Sequence, residues 1–253
     1  MAKTDKKLKG AWSGSGLAGL RCAAIYSGGK DGHLALLRAM GAGAAVSCLV
    51  TIDGGARHAS FFHDLRKVPL LRAHARLLGL PLAVCPPAGF APKEAGLAGA
   101  LRLLARAAGR KGFDFLVSGA SDLDDAGGAA DFRRVGAGLG LRVETPAAAL
   151  DVPDAVVECA RLGVKAVIVG TERAVDPRWL GREFGMEFCE YILRLRARGV
   201  KVDGNDFQTL VTDSPAFSAP VELLRTRPVR LRDRCLLKVL SFRAGRAVVT
   251  NAV

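Results

Sequence analysis

Five consecutive residues, Ser27, Gly28, Gly29, Lys30 and Asp31, combine the groups needed to hold a phosphate. Glycines let the backbone approach an anion closely, and successive N–H groups point at it. Lys30 adds a point charge that attracts a phosphate. Asp31 is a carboxylate suited to Mg²⁺, which usually binds through one or two carboxylates plus phosphates. The apolar run before the loop predicts a short buried strand over residues 22–26. After it, Leu34, Leu37 and Met40 fall at helical spacing and predict a helix over 31–40. A strand, a glycine turn and a helix N-terminus make an anion cradle, and the helix dipole adds positive potential. The pattern is not Walker A, which places four residues between its first glycine and the Gly-Lys pair.

The elements that must position this loop alternate along the chain. Strands are predicted over 22–26, 46–51, 80–85, 113–118, 141–144 and 166–169. Helices are predicted over 31–40, 69–78, 92–111, 131–139 and 153–162. Such alternation implies an α/β fold, a parallel sheet with helices on both faces. Ligands bind at the carboxyl ends of strands in such sheets, where Ser27, Thr51 with Asp53, and Ser118 fall. The acidic, glycine-rich stretch 121–131 reads as a loop or junction. After Val169 the pattern changes to a helix over 183–198 and strands over 207–212, 229–231, 236–242 and 247–250. The expected organisation is a basic leader over 1–20, a nucleotide-binding domain over 21–125 and a smaller C-terminal α+β substrate domain over 126–253.

The chain has 253 residues, half of them hydrophobic, and a formal net charge of +13. That excess favours polyanions: ATP, RNA or an acidic surface. Arg225, Arg227, Arg230, Arg232 and Arg234 concentrate it, and on one strand Arg230, Arg232 and Arg234 would share a face. That segment offers an RNA contact, or equally a solvated edge that resists aggregation. Six cysteines include no Cys-x-x-Cys and no zinc pattern. They suit a reducing, cytoplasmic setting without disulfides. No apolar run is long enough to suggest a membrane span.

The loop resembles the PP-loop, Ser-Gly-Gly-Lys-Asp-Ser, of the ATP pyrophosphatases, with Gly32 in place of the last serine. Further segments are similar to one PP-loop family, the diphthamide synthetases or diphthine–ammonia ligases. They are Phe62-His63, Leu77 to Leu82, Val117-Ser118-Gly119-Ala120 with Asp122, and Arg134-Val135. Later come Trp179-Leu180-Gly181-Arg182, Asp206-Phe207 with Thr209-Leu210-Val211, and Asp213-Ser214-Pro215. The departures are Gly32, Gly136 where a glutamate is usual, and Asp203 to Asp206 in place of a Gly-Glu-rich run.

The resemblance implies a Rossmann-like sheet of the adenine nucleotide alpha hydrolase type. It implies cleavage of ATP between the α- and β-phosphates, with Mg²⁺ on Asp31. A carboxylate would be adenylated and ammonia would then displace AMP. The substrate implied is diphthine, a modified histidine of translation elongation factor 2. Lys30 and Asp31 are the catalytic candidates. Ser27, Gly28, Gly29, Lys30, Asp31, Thr51, Asp53, Ser118, Gly119 and Ala120 are the ATP-binding candidates. His63, Asp122, Arg134, Arg182, Asp206 and Thr209 are the substrate-side candidates. Each has a plainer reading beside it. Asp53 can cap a turn, His63 can be structural, Asp122 can be a solvated loop acid and Arg182 can form a helix-capping ion pair. Two alternatives stand: a PP-loop ATPase that modifies tRNA, and a non-catalytic nucleotide-binding module with a decayed site, which Gly32 and Gly136 would suit.

Overall fold

The computed structural model describes residues 16–52, 68–85, 92–122, 128–172 and 174–250. Strands β1 (Arg21–Ile25), β2 (Ala45–Ile52), β3 (Leu82–Cys85), β4 (Phe115–Val117) and β5 (Val143–Glu144) form one parallel sheet in the order β3-β2-β1-β4-β5. Helices α1 (Lys30–Gly41), α2 (Val68–Leu78), α3 (Pro92–Gly109), α4 (Gly128–Gly138) and α5 (Val152–Leu162) connect and follow these strands. This is the Rossmann-like parallel sheet with helices expected from the sequence. Strand order reverses between β1 and β4, so the crevice beyond their carboxyl ends is the natural ligand position.

The second sheet is antiparallel. It contains β6 (Lys165–Glu172), β7 (Phe207–Asp213), β8 (Val221–Arg230), β9 (Arg234–Ala244) and β10 (Ala247–Thr250). Helix α6 (Met186–Ala197) and a short 3₁₀ turn at Pro177–Trp179 complete this part.

Helix α1 joins the two. Ala35, Leu36 and Ala39 pack into the core of the first sheet, whereas Leu34 and Leu37 pack into the core of the second. A helix apolar on two sides is a buried helix, and its position forces the loop ahead of it to lie between the sheets. Helix α5 has firm ends: Asp151 accepts from the Asp154 N–H at 2.9 Å, and Gly163 closes it at φ 75°.

Four expectations change. The expected boundary between 125 and 126 cuts the parallel sheet, because β5, from beyond it, pairs with β4. The helix expected over 183–198 starts only at Met186, because Glu183 bridges to Val167 and the Phe184 N–H bonds to the Ala166 carbonyl. The short strand expected over 229–231 is the end of the ten-residue β8. Finally, Arg230, Arg232 and Arg234 do not share one strand: the Leu231 N–H donates to the Arg234 carbonyl at 2.8 Å and closes a turn between β8 and β9. No helix among the described residues is long and apolar enough to cross a membrane.

Candidate functional site

The loop after β1 is built as its composition requires. Gly28 has φ +79°, a conformation disfavoured for other residues, and a Cβ there would stand 3.0 Å from Leu71. Gly29 is extended and leads into α1. The first N–H groups of a helix have no intrahelical acceptor. In α1 the earliest backbone bond runs from the His33 N–H to the Gly29 carbonyl, at 3.2 Å. Of the orphan donors, the Lys30 N–H is taken by the Thr209 hydroxyl at 3.0 Å. Those of Gly29, Asp31 and Gly32 have no hydrogen-bond acceptor among the described residues.

Strand β7 docks onto the loop. The Val211 N–H donates to the Gly28 carbonyl at 2.9 Å, beside the Thr209 contact. Thr209, which reads from sequence equally well as an ordinary strand residue, therefore belongs to the loop's own framework.

The segment after β4 closes the other side. An added Cβ on Gly119 would lie 2.3 Å from the carbonyl carbon of Asp31 and 2.4 Å from the Gly32 nitrogen. Only glycine lets this backbone rest on the helix start. Ser118 is buried, and its hydroxyl accepts from the Ala120 N–H at 3.2 Å. Gly119 thus lies beside Asp31. Thr51, next to last in β2, is fully buried, and its hydroxyl has no hydrogen-bond partner among the described residues. Asp53 and His63 lie outside the described residues.

The Lys30 side chain is not splayed toward solvent. It is 1 % exposed, its ammonium 2.9 Å from Asp31 Oδ2 and about 5 Å from the ring centres of Phe184 (5.1 Å) and Phe207 (4.9 Å). Aromatic faces attract a cation by their quadrupole, and more strongly where water is excluded. Asp31 itself is half exposed. Its single carboxylate fits a magnesium ion that draws its other ligands from phosphates; among the described residues no group of three or more His, Cys, Asp or Glu gathers as a protein cage.

Behind the loop lies a buried chain of hydrogen bonds. The Tyr26 hydroxyl sits 3.0 Å from Nδ1 of both His33 and His74, and His33 Nε2 is 2.7 Å from the Ser214 hydroxyl. Phe217 packs against both imidazoles. Burial first, and then the neighbouring His74, lower the His33 pKa to about 3, so the ring is neutral near pH 7. A neutral tyrosine has one proton, so only one of the two Nδ1 atoms can accept it while the other donates. One of the two Nδ1 atoms therefore carries a proton and the other does not. None of these four was singled out as a site residue. The available signal was a histidine inside each of two apolar helix segments, since a buried imidazole needs a partner.

The remaining substrate-side candidates do not converge on the loop. Arg182 stacks on Trp179 at 4.5 Å and pairs with Glu187 at 2.7 Å. Arg134 is an exposed helix residue paired with Asp131. Asp122 accepts from the Ala130 N–H at the start of α4 and from Arg133. Desolvation opposes its ionisation, but those donors outweigh it and hold the carboxyl below its ordinary value. Asp206 accepts from the Asp203 N–H at 2.9 Å and shapes the turn before β7; desolvation chiefly raises its pKa.

Residues 20–126 match the family model described as the diphthamide synthase N-terminal domain. The match holds the loop, β1 to β4 and α1 to α3, and ends before the second sheet. No curated protein matches the chain. Among solved structures, the chain is similar to the U34-tRNA thiolase NcsA from Methanococcus maripaludis with its 4Fe-4S cluster. That similarity has a TM-score of 0.43 and 15% identity, and covers 64% of this chain and 63% of that one.

Proposed function

We propose that this chain is an ATP-dependent amide ligase. It binds ATP with Mg²⁺ at Ser27–Asp31, adenylates a carboxylate with release of pyrophosphate, and lets ammonia displace AMP. The acceptor is diphthine on translation elongation factor 2. The observation that carries this reading is the loop itself, with three helix-start amides uncommitted, inside the segment that matches the diphthamide synthase N-terminal domain.

The chain's own residues divide the work. The amides of Gly29, Asp31 and Gly32 and the dipole of α1 bind phosphate oxygens. Lys30 stands ready as a desolvated cation whose carboxylate partner a phosphate replaces, which frees Asp31 for the metal. Magnesium, when bound, neutralises charge on the phosphates. Gly119 holds the end of β4 against Asp31, so the groups flanking the crevice keep a fixed spacing.

A second reading places the acceptor on RNA, supported by the unpaired arginines of the β8–β9 hairpin. Incubation of the full chain with ATP, ammonia and either diphthine-bearing elongation factor 2 or total tRNA separates them. Acceptor-dependent AMP and pyrophosphate with the protein supports the ligase, and with tRNA the RNA reading. ADP as the main product rejects both, and no turnover leaves a nucleotide-binding module.

A further inference from the structure

The hairpin of β8 and β9 is the most charged feature outside the loop. Residues 221–250 contain seven arginines and one lysine against one glutamate and one aspartate. One cross-strand pair, Glu222 with Arg243, is neutralised at 2.7 Å. Among the described residues, Arg225, Arg227, Arg230, Arg232 and Lys238 form no ion pair. Arg227 lies directly opposite Lys238 in the register. Directly opposed like charges destabilise a sheet, so the fold carries this arrangement at a loss.

Edge protection does not account for it. One or two charges suffice to discourage edge pairing, and β8 also carries Pro228, which lacks an N–H to offer. Here the cations occupy both strands and the turn between them. Beyond Leu223, β8 is exposed except for a half-buried Val229. Arg225 and Arg227 stand two residues apart on a pleated strand, roughly 7 Å along it. They form a row rather than a cluster.

We propose that the β8–β9 hairpin binds the phosphate backbone of RNA, without regard to base sequence. Arginine forks match phosphate oxygens bidentately. No aromatic side chain of the hairpin is exposed, because Phe242 is fully buried, so bases have no ring to stack on and charge alone governs binding. An acidic protein surface is disfavoured because the aromatic anchors typical of protein interfaces are missing. The inference concerns a surface and holds whatever the acceptor of the ATP chemistry is.

The test is fluorescence anisotropy of the full chain with two labelled single-stranded RNAs of unrelated sequence, across a salt series. The parent is expected to bind both alike, with log affinity falling linearly against log salt. Arg225→Glu with Arg227→Glu should weaken both equally and reduce the slope by roughly 0.7 for each lost phosphate contact. Both arginines are exposed, and circular dichroism checks the fold; Arg232→Glu in the turn gives an independent variant. Arg102→Glu, on the exposed face of α3, should leave binding unchanged. The proposal is overturned by hairpin variants that bind like the parent, by an equal loss in Arg102→Glu, or by polyglutamate outcompeting RNA at equal charge concentration.

Discussion

The Thr209 hydroxyl accepts the backbone N–H of Lys30 at 3.0 Å across 179 positions of sequence. The first residue of α1 is thereby fixed by the second sheet. A loop held this way is shaped before any ligand arrives, which reduces the ordering cost of binding.

Thr209→Val keeps the side-chain shape and removes the acceptor. The buried Lys30 N–H then lacks a partner, which costs about 1–3 kcal/mol. Urea unfolding should show that loss, and Thr209→Ser should recover most of it. A valine variant as stable as the parent would mean that the contact contributes nothing.

Gly119 permits a sharper test. A Cβ there would lie 2.3 Å from the Asp31 backbone, which cannot move without disturbing α1. Gly119→Ala should lose about 1–3 kcal/mol or more. Gly138, at the end of α4, has open space around it. Gly138→Ala is expected to gain about 0.4–1 kcal/mol by restricting the unfolded chain. Opposite signs in thermal melts check the pair.

The strand, loop and first helix were legible in the sequence because periodicity and chemistry coincide over residues 22–40. Gly119 was legible as a turn after a strand, but its approach to Asp31 was not. Thr209 was named, but its contact with Lys30 was not, since nothing local links residues so far apart. The chain from His74 through Tyr26 and His33 to Ser214 was missed for the same reason: four elements supply it. Lys30 reads from the sequence as a point charge, and its burial under Phe184 and Phe207 is visible only in the fold. The arginine run misled, because alternation fits a strand and a hairpin turn equally well when no glycine marks the turn.

Buried His33 should make stability depend on pH in a known direction. His33 has a folded pKa near 3, below its unfolded value of about 6.5. The unfolded chain therefore binds more protons in that interval, so this contribution is fully present above about pH 6.5 and is lost as pH falls. The loss approaches 1.4 kcal/mol per pH unit for this group. Denaturant midpoints compared between about pH 7 and 5.5 read it before most carboxylates titrate. His33→Gln should flatten the dependence, and an unchanged slope would count against the buried, neutral histidine.

Lys30→Ala is expected to weaken ATP binding by roughly 1.5–3 kcal/mol, the worth of a charge-assisted contact. The ammonium also fills a cleft between two rings, so Lys30→Met, which restores apolar bulk, should regain stability without regaining affinity. Calorimetry with ATP and Mg²⁺, paired with a melt, separates the two effects. Equal affinity in the parent and Lys30→Ala would remove Lys30 from the phosphate site.

Gly32 stands where the PP-loop has a serine hydroxyl. A Cβ on it would sit 3.3 Å from the Ile25 carbonyl oxygen and 4.0 Å from the Ser27 nitrogen, at the junction of β1 and the loop. That approach is tight, and any substitution carries a small steric penalty. Alanine and serine share the penalty, so their difference isolates the hydroxyl. Near the helix start that hydroxyl can donate to a phosphate oxygen. Gly32→Ser is therefore expected to bind ATP more tightly than Gly32→Ala by about 0.5–1.5 kcal/mol. Calorimetry on both variants and the parent decides it. Equal affinities would show the serine proton held by the Ile25 carbonyl instead, and the glycine would then reflect the space this loop lacks rather than a lost phosphate contact.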